Sequence, residues 1–204
     1  MTNSPRAISL AAAALLLVAG SSCAKDKPEA GHPSPTVTPS VTDTASPTPR
    51  SPSDEASAGA TALLTRYYAV RNELRQDSTR PMSMLKTIAI STELTAQQTL
   101  FKRERDQGLR QTGETKVLEF HVESVNLDNS DPRAGKVPTV QIDVCFDVSD
   151  VDVLDADGKS VVSPDRPDTG WIRYSVANYQ WDTDPDGAWR VASSQDLERT
   201  PCDA

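Results

Sequence analysis

VQIDVCFDV, residues 140–148, places Val140, Ile142, Val144, Phe146 and Val148 on one parity and Gln141, Asp143, Cys145 and Asp147 on the other. Successive side chains of a strand point to opposite faces, so this alternation predicts a strand with one buried and one polar face. Upstream, Leu118, Phe120 and Val122 alternate with Glu119, His121 and Glu123, which predicts a second strand of the same kind. Val125 and Leu127 continue on the other parity, placing a bulge near Ser124. Downstream, residues 155–168 read as a long loop, Trp171 to Trp181 as a third strand and Trp189 to Val191 as a fourth.

Before Gly113 the period changes. Ala60, Leu63, Tyr67, Val70 and Leu74 recur at spacings of three and four, with Leu64 and Tyr68 widening the stripe. That pattern predicts an amphipathic helix between Ala56 and Asp77, stopped by Ser78 to Pro81. Met82 to Ile90 predicts a short second helix, and Thr92 is the expected N-cap of a third that carries Leu94, Leu100 and Phe101. Gly108 supplies a helix-ending residue. Helices followed by antiparallel strands predict an α+β domain, with the helices packed on one face of a curved sheet.

Three unlike pieces make up the 204 residues. Residues 1–22 hold one charge, Arg6, then an apolar run from Ala7 to Ala19, then Gly20, Ser21 and Ser22 before Cys23. A charged start, a short apolar core and small residues before a cut are the pattern of a secretory signal. The core is shorter than the roughly 20 residues a spanning helix needs. Residues 17–23 resemble the lipobox of bacterial lipoproteins, departing from its commonest form in carrying Gly20 where Leu usually sits. The resemblance implies a diacylglyceryl group on the Cys23 thiol, cleavage before it, and a chain held at the outer face of the bacterial cytoplasmic membrane. Ordinary cleavage after Ala24 with release is the rival reading. Residues 23–56 then form a linker rich in Pro, Ser and Thr, whose composition cannot bury enough apolar surface to order itself. Thirty such residues in extended polyproline form reach about 90 Å. Its alternating Thr and Pro also suit O-glycosylation, and His32 reads as a solvated linker residue.

Residues 57–204 are the folding domain. Its first part, 57–116, holds ten basic and six acidic residues, whereas 117–204 holds seven basic and eighteen acidic ones. Nucleic-acid binding runs on Lys and Arg, so an acidic half argues against nucleic acid as a partner. The Tyr67-Tyr68 helix, the run VCFDVSDVDVLDADGKSVV over 144–162, and the ending AWRV with a terminal Cys202 resemble actinobacterial lipoproteins with an NTF2-like cone domain. The resemblance implies helices packed on a curved antiparallel sheet and a pocket between them. It assigns no activity.

The chemical candidates are few. Cys145 lies on the polar parity of its strand, and Cys202 lies in a tail with no other anchor, so an oxidising compartment predicts a structural disulfide between them. Asp182, Asp184, Asp186 and Gly187 match the opening of a calcium loop, but Ser193 stands where the bidentate Glu belongs, and a hairpin turn explains the same residues. Asp155 to Gly158 reads the same way. His121 reads as a solvated strand residue, and Asp143 and Asp147 as pointing away from the pocket. Tyr67, Trp171, Trp181 and Trp189 are the candidate pocket or core aromatics. No cofactor or metal is implied, and no catalytic set is legible. The expected role is a lipid-anchored binding or accessory module for an envelope protein or small molecule. The alternatives are a cone-fold isomerase or hydrolase using a pocket carboxylate, and an accessory subunit of an envelope transport complex.

Mass spectrometry of the protein from membranes is expected to find acyl groups on an N-terminal Cys23. Cys23→Ser is expected to move it from the membrane to the soluble fraction.

Overall fold

The computed structural model describes residues 50–200 and 202. The signal segment, Cys23, His32 and nearly all of the linker lie outside the described residues. The chain forms an α+β domain: helices α1 (Pro52–Gln76) and α2 (Ser91–Asp106), then strands β1 (Arg110–Thr112), β2 (Lys116–Asn126), β3 (Thr139–Asp147), β4 (Asp152–Leu154), β5 (Thr169–Asn178) and β6 (Trp189–Leu197). The large sheet is antiparallel in the order β2-β3-β5-β6, and β1 and β4 pair as a separate ribbon.

Helix α1 starts at Pro52, ahead of the expected Ala56, because Ser51 and Asp54 form a capping box around Pro at the first turn. Its stripe of Ala56, Ala60, Leu63, Leu64, Tyr67, Tyr68 and Leu74 is buried. Small residues bring it close to the sheet: a Cβ on Gly59 would lie 2.6 Å from the Trp189 indole nitrogen. The expected second helix is a 3₁₀ turn, Met82–Thr87. It stops short because Ile88 and Ile90 are drawn onto the edge of β6, accepting from and donating to Val191, each at 2.9 Å.

Thr92 does not cap α2, as the sequence suggested. Ile90 occupies that position without a side-chain acceptor, and the Thr92 hydroxyl donates instead to the Ala192 carbonyl at 3.0 Å. Gly108 does end the helix. It takes φ +68°, and Gly108 N–H and Leu109 N–H return to the carbonyls of Arg105 and Glu104 at 3.0 and 2.8 Å. Arg75 and Glu104 tie the helices through two hydrogen bonds of 3.0 and 2.6 Å. Asn72 ties α1 to the sheet, accepting from Gln111 and from Thr115 N–H and donating to the Thr115 carbonyl.

Strand β3 sits as its alternation requires, with Val140, Ile142 and Val144 fully buried against the helices. It ends at Asp147, leaving Val148 in the following turn. Strand β2 departs from its expected alternation. The predicted bulge near Ser124 is present, but a second irregularity lies between Val117 and Glu119. It turns Leu118 outward, 38% exposed, and Val117, Phe120, Val125 and Leu127 pack on the core instead. Val122 shares a face with Ile142 yet remains 43% exposed, because β2 is an edge strand. Strand β5 ends at Asn178, short of Trp181, and β6 runs six residues past Val191. Among the described residues no helix is long and apolar enough to cross a membrane.

Cys145 and Cys202 form the expected disulfide, spanning 57 positions. The Thr169 hydroxyl donates to the Cys202 carbonyl at 2.9 Å, so the tail is strapped across the outer sheet face at two points. Closing a loop of that length constrains the unfolded chain by about 4 kcal/mol in the chain-entropy model. Cys202→Ser is expected to lower stability by about 3–4 kcal/mol in non-reducing urea titrations. Reductant should produce that loss in the parent and none in the variant.

Candidate functional site

The space between the helices and the inner sheet face, where the resemblance implies a pocket, is filled. Leu64, Leu74, Leu85, Ile88, Phe101 and Val176 are each less than 2% exposed there. A polar island lies within this packing. Tyr67, Tyr68 and Arg71 project from α1, Glu93 and Gln97 from α2, Tyr174 from β5 and Ser194 from β6.

Glu93 is its centre, 2% exposed. Its Oε1 accepts from the Tyr67 hydroxyl and from Gln97 Nε2 at 2.8 Å, and its Oε2 accepts from the Ser194 hydroxyl at 2.6 Å. Three donors from three elements therefore compensate the loss of water around the carboxylate. Burial pushes the Tyr67, Tyr68 and Tyr174 phenols up. The Tyr68 and Tyr174 hydroxyls bond each other at 2.9 Å, and the three rings meet edge to face at centroid distances of 5.5–6.1 Å. Arg71 lies against two of them, its Cζ 5.1 Å from the Tyr67 centroid and 5.8 Å from that of Tyr68, a cation–π arrangement. Its buried Nε has no hydrogen-bond acceptor among the described residues.

This island can hold charge but offers little for proton transfer. A general base needs an oxygen directed at the substrate. Both oxygens of Glu93 are engaged, and the residue is sealed.

Open space lies at the rim. A cavity of about 460 Å³ is walled by Phe146, Val151, Val153, Pro167 and Trp171, with Arg75, Arg166 and Asp196 among its polar residues. Another, of about 450 Å³, lies between the 3₁₀ turn, the start of α2 and the β5–β6 connection.

The candidate aromatics divide between the two faces. Tyr67 and Trp189 are core residues, and Trp181 packs edge-on against Trp189 at 5.9 Å. Trp171 is not part of the buried core, and it lines the 460 Å³ rim cavity. Its partners in register are Cys145 and Leu197, which puts it on the outer face, where Arg199 lies 5.4 Å over its ring. His121 is exposed there, bonded to Glu119 at 3.1 Å. The Asp182–Gly187 segment is a turn. Asp184 Oδ1 accepts from Gly187 N–H at 2.8 Å, and Asn178 Nδ2 donates to the carbonyls of Asp184 and Pro185. No group of three or more His, Cys, Asp or Glu among the described residues could hold a metal ion.

Asp143 points away from the interior, as its parity requires, yet it is completely buried. Arg173 grips it with two bonds of 2.6 and 2.8 Å, and Arg199 adds a third at 2.5 Å. The Arg173 hydrogen bond holds the Asp143 carboxyl below the usual carboxylate range.

Sequence reasoning passed over Arg71, Glu93, Gln97, Tyr174 and Ser194. The signal for Arg71 was present, a cation three and four residues after Tyr68 and Tyr67 on the buried stripe. Glu93 gave none, because an acid in the first turn of a helix is common for reasons of the helix dipole.

No protein-family profile matches the chain, and no curated protein does. Among solved structures it is similar to the crystal structure of the intermembrane space region of chloroplast protein ARC6, with a TM-score of 0.47 and 16% identity over 73% of this chain and 98% of that one. A likeness at that level carries no argument about role.

A depressed folded-state value means that Asp143 stabilises the fold fully above the unfolded carboxyl range and ceases to do so as pH falls through the folded value. Asp143→Asn is expected to cost about 2 kcal/mol near pH 7, limited by solvent around the part-exposed arginines. The gap to the parent should narrow near pH 3 in urea unfolding.

Proposed function

We propose that the chain is a lipid-anchored lipoprotein at the outer face of a bacterial cytoplasmic membrane, whose NTF2-like domain binds a small molecule without transforming it. The observation that carries this reading is the state of Glu93. It is the carboxylate beside a tyrosine that a cone-fold enzyme would require, and its oxygens already accept from Tyr67, Gln97 and Ser194. Its burial to 2% leaves no place for a substrate beside it. The rim cavities are of a size that small-molecule sites occupy, about 300–1,000 Å³. The anchor is supported by the lipobox-like residues before Cys23, and the cone by two helices laid over a four-stranded antiparallel sheet with a doubly bulged edge strand.

Native mass spectrometry of the full chain, extracted from envelopes in mild detergent, tests the reading. A retained small molecule whose mass stays constant during incubation is expected. A bare chain, or a retained molecule that changes mass only when the protein is present, would defeat it.

A further inference from the structure

The 450 Å³ rim cavity has an apolar wall and two lining cations, Lys86 and Arg190, with no ion-pair partner among the described residues. Ile90, Ala188 and the half-exposed Tyr179 provide the wall, while Lys86, Arg190, Gln180 and Ser91 provide polar groups. Lys86 is exposed and forms no ion pair among the described residues. Arg190 directs Nη1 to the carbonyls of Gly187 and Trp189 at 3.1 and 2.6 Å, which leaves Nη2 uncommitted. Arg66, on α1, reaches the Thr87 carbonyl at 3.5 Å. Burial, and then the charge of Arg66, hold Arg190 below the usual guanidinium range.

Arg75, Arg80, Lys102, Lys116, Arg173 and Arg199 have acidic partners within 4 Å. Arg66, Lys86 and Arg190 belong to the larger group of described cations that have none. Asp184 is a nearby acid whose charge acts on Arg190, while its Oδ1 accepts from Gly187 N–H. Ser91, on the cavity wall, takes φ +52°, a left-handed conformation that costs a non-glycine residue energy and recurs at ligand-binding positions. The strain follows from fastening Ile90 to β6 at 2.9 Å while α2 begins one residue later.

We propose that this cavity binds a phosphate monoester carrying a flat apolar group, with Lys86 and Arg190 on the phosphate and Tyr179, Ile90 and Ala188 against the apolar body. A monoester fits better than a carboxylate because two cations line the cavity, and a phosphate carries about −1.5 to −2 charges near neutral pH. Lysine serves it as a point charge and arginine as a fork. The inference rests on the reading of the domain as a binding module and names the class of its ligand.

The test is calorimetric titration of the full chain carrying Cys23→Ser, without detergent, using phenyl phosphate, inorganic phosphate and benzoate as probes. Phenyl phosphate is expected to bind about tenfold more tightly than either of the others, since they lack the apolar contact or the second charge. Lys86→Gln should weaken it about tenfold, the worth of one charge-assisted bond. The Lys86 side chain is exposed and has no hydrogen-bond or ion-pair partner among the described residues, so its replacement leaves the fold intact; Arg190→Lys, which keeps the charge and loses the fork, should also weaken binding. Dihexanoyl phosphatidic acid separates the sources: tighter binding than phenyl phosphate assigns the site to a lipid headgroup, weaker binding to a soluble monoester. Absence of phenyl phosphate binding, or affinity unchanged in both variants, would overturn the proposal. If native mass spectrometry still found an unaltered retained ligand, the cavity assignment alone would fall and the binding reading would stand.

Discussion

One buried carboxylate joins the three parts of this fold. Glu93 receives hydrogen bonds from Tyr67 on α1, Gln97 on its own helix and Ser194 on β6. A charge that is 2% exposed is tolerated only while its donors are present, so the helix and strand positions are mutually dependent. Apolar packing fills the space around them, but it is non-directional and would accept several relative placements of α2. The Glu93 bonds select one placement. Closing the interior in this way is also what moves any binding to the rim.

The two faces of the sheet solve different problems. The inner face is apolar and carries the helices. Among the described residues no helix covers the outer face, and ion pairs and the disulfide tie its strands. Asp143, gripped by Arg173 and Arg199, and Cys145, bonded to Cys202, are neighbours on that face of β3. Together they bring the tail across strands that would otherwise meet solvent. Trp171 is covered in the same way by Arg199.

The places where local pattern and structure disagree share a cause. Thr92 resembles an N-cap by composition, but β6 fastens Ile90 and hands the cap position to a residue with no acceptor. Leu118 resembles a core residue by parity, but the edge strand bulges beside it. Each depends on a contact with a residue far away in sequence.

The sequence by itself determined the α+β class, the helix stripe from Ala60 to Leu74, the alternation of β3, the bulge near Ser124 and the pairing of two cysteines. Those follow from period, parity and composition, which are local properties of a chain. The polar island, the filled interior and the cationic rim cavity were decided only by tertiary structure. Tyr67, Glu93 and Ser194 are separated by 26 and 101 positions, and no local rule links their side chains. Burial and hydrogen-bond partnership are properties of neighbours in space, and they turn an unremarked first-turn glutamate into the tie that holds the helices to the sheet.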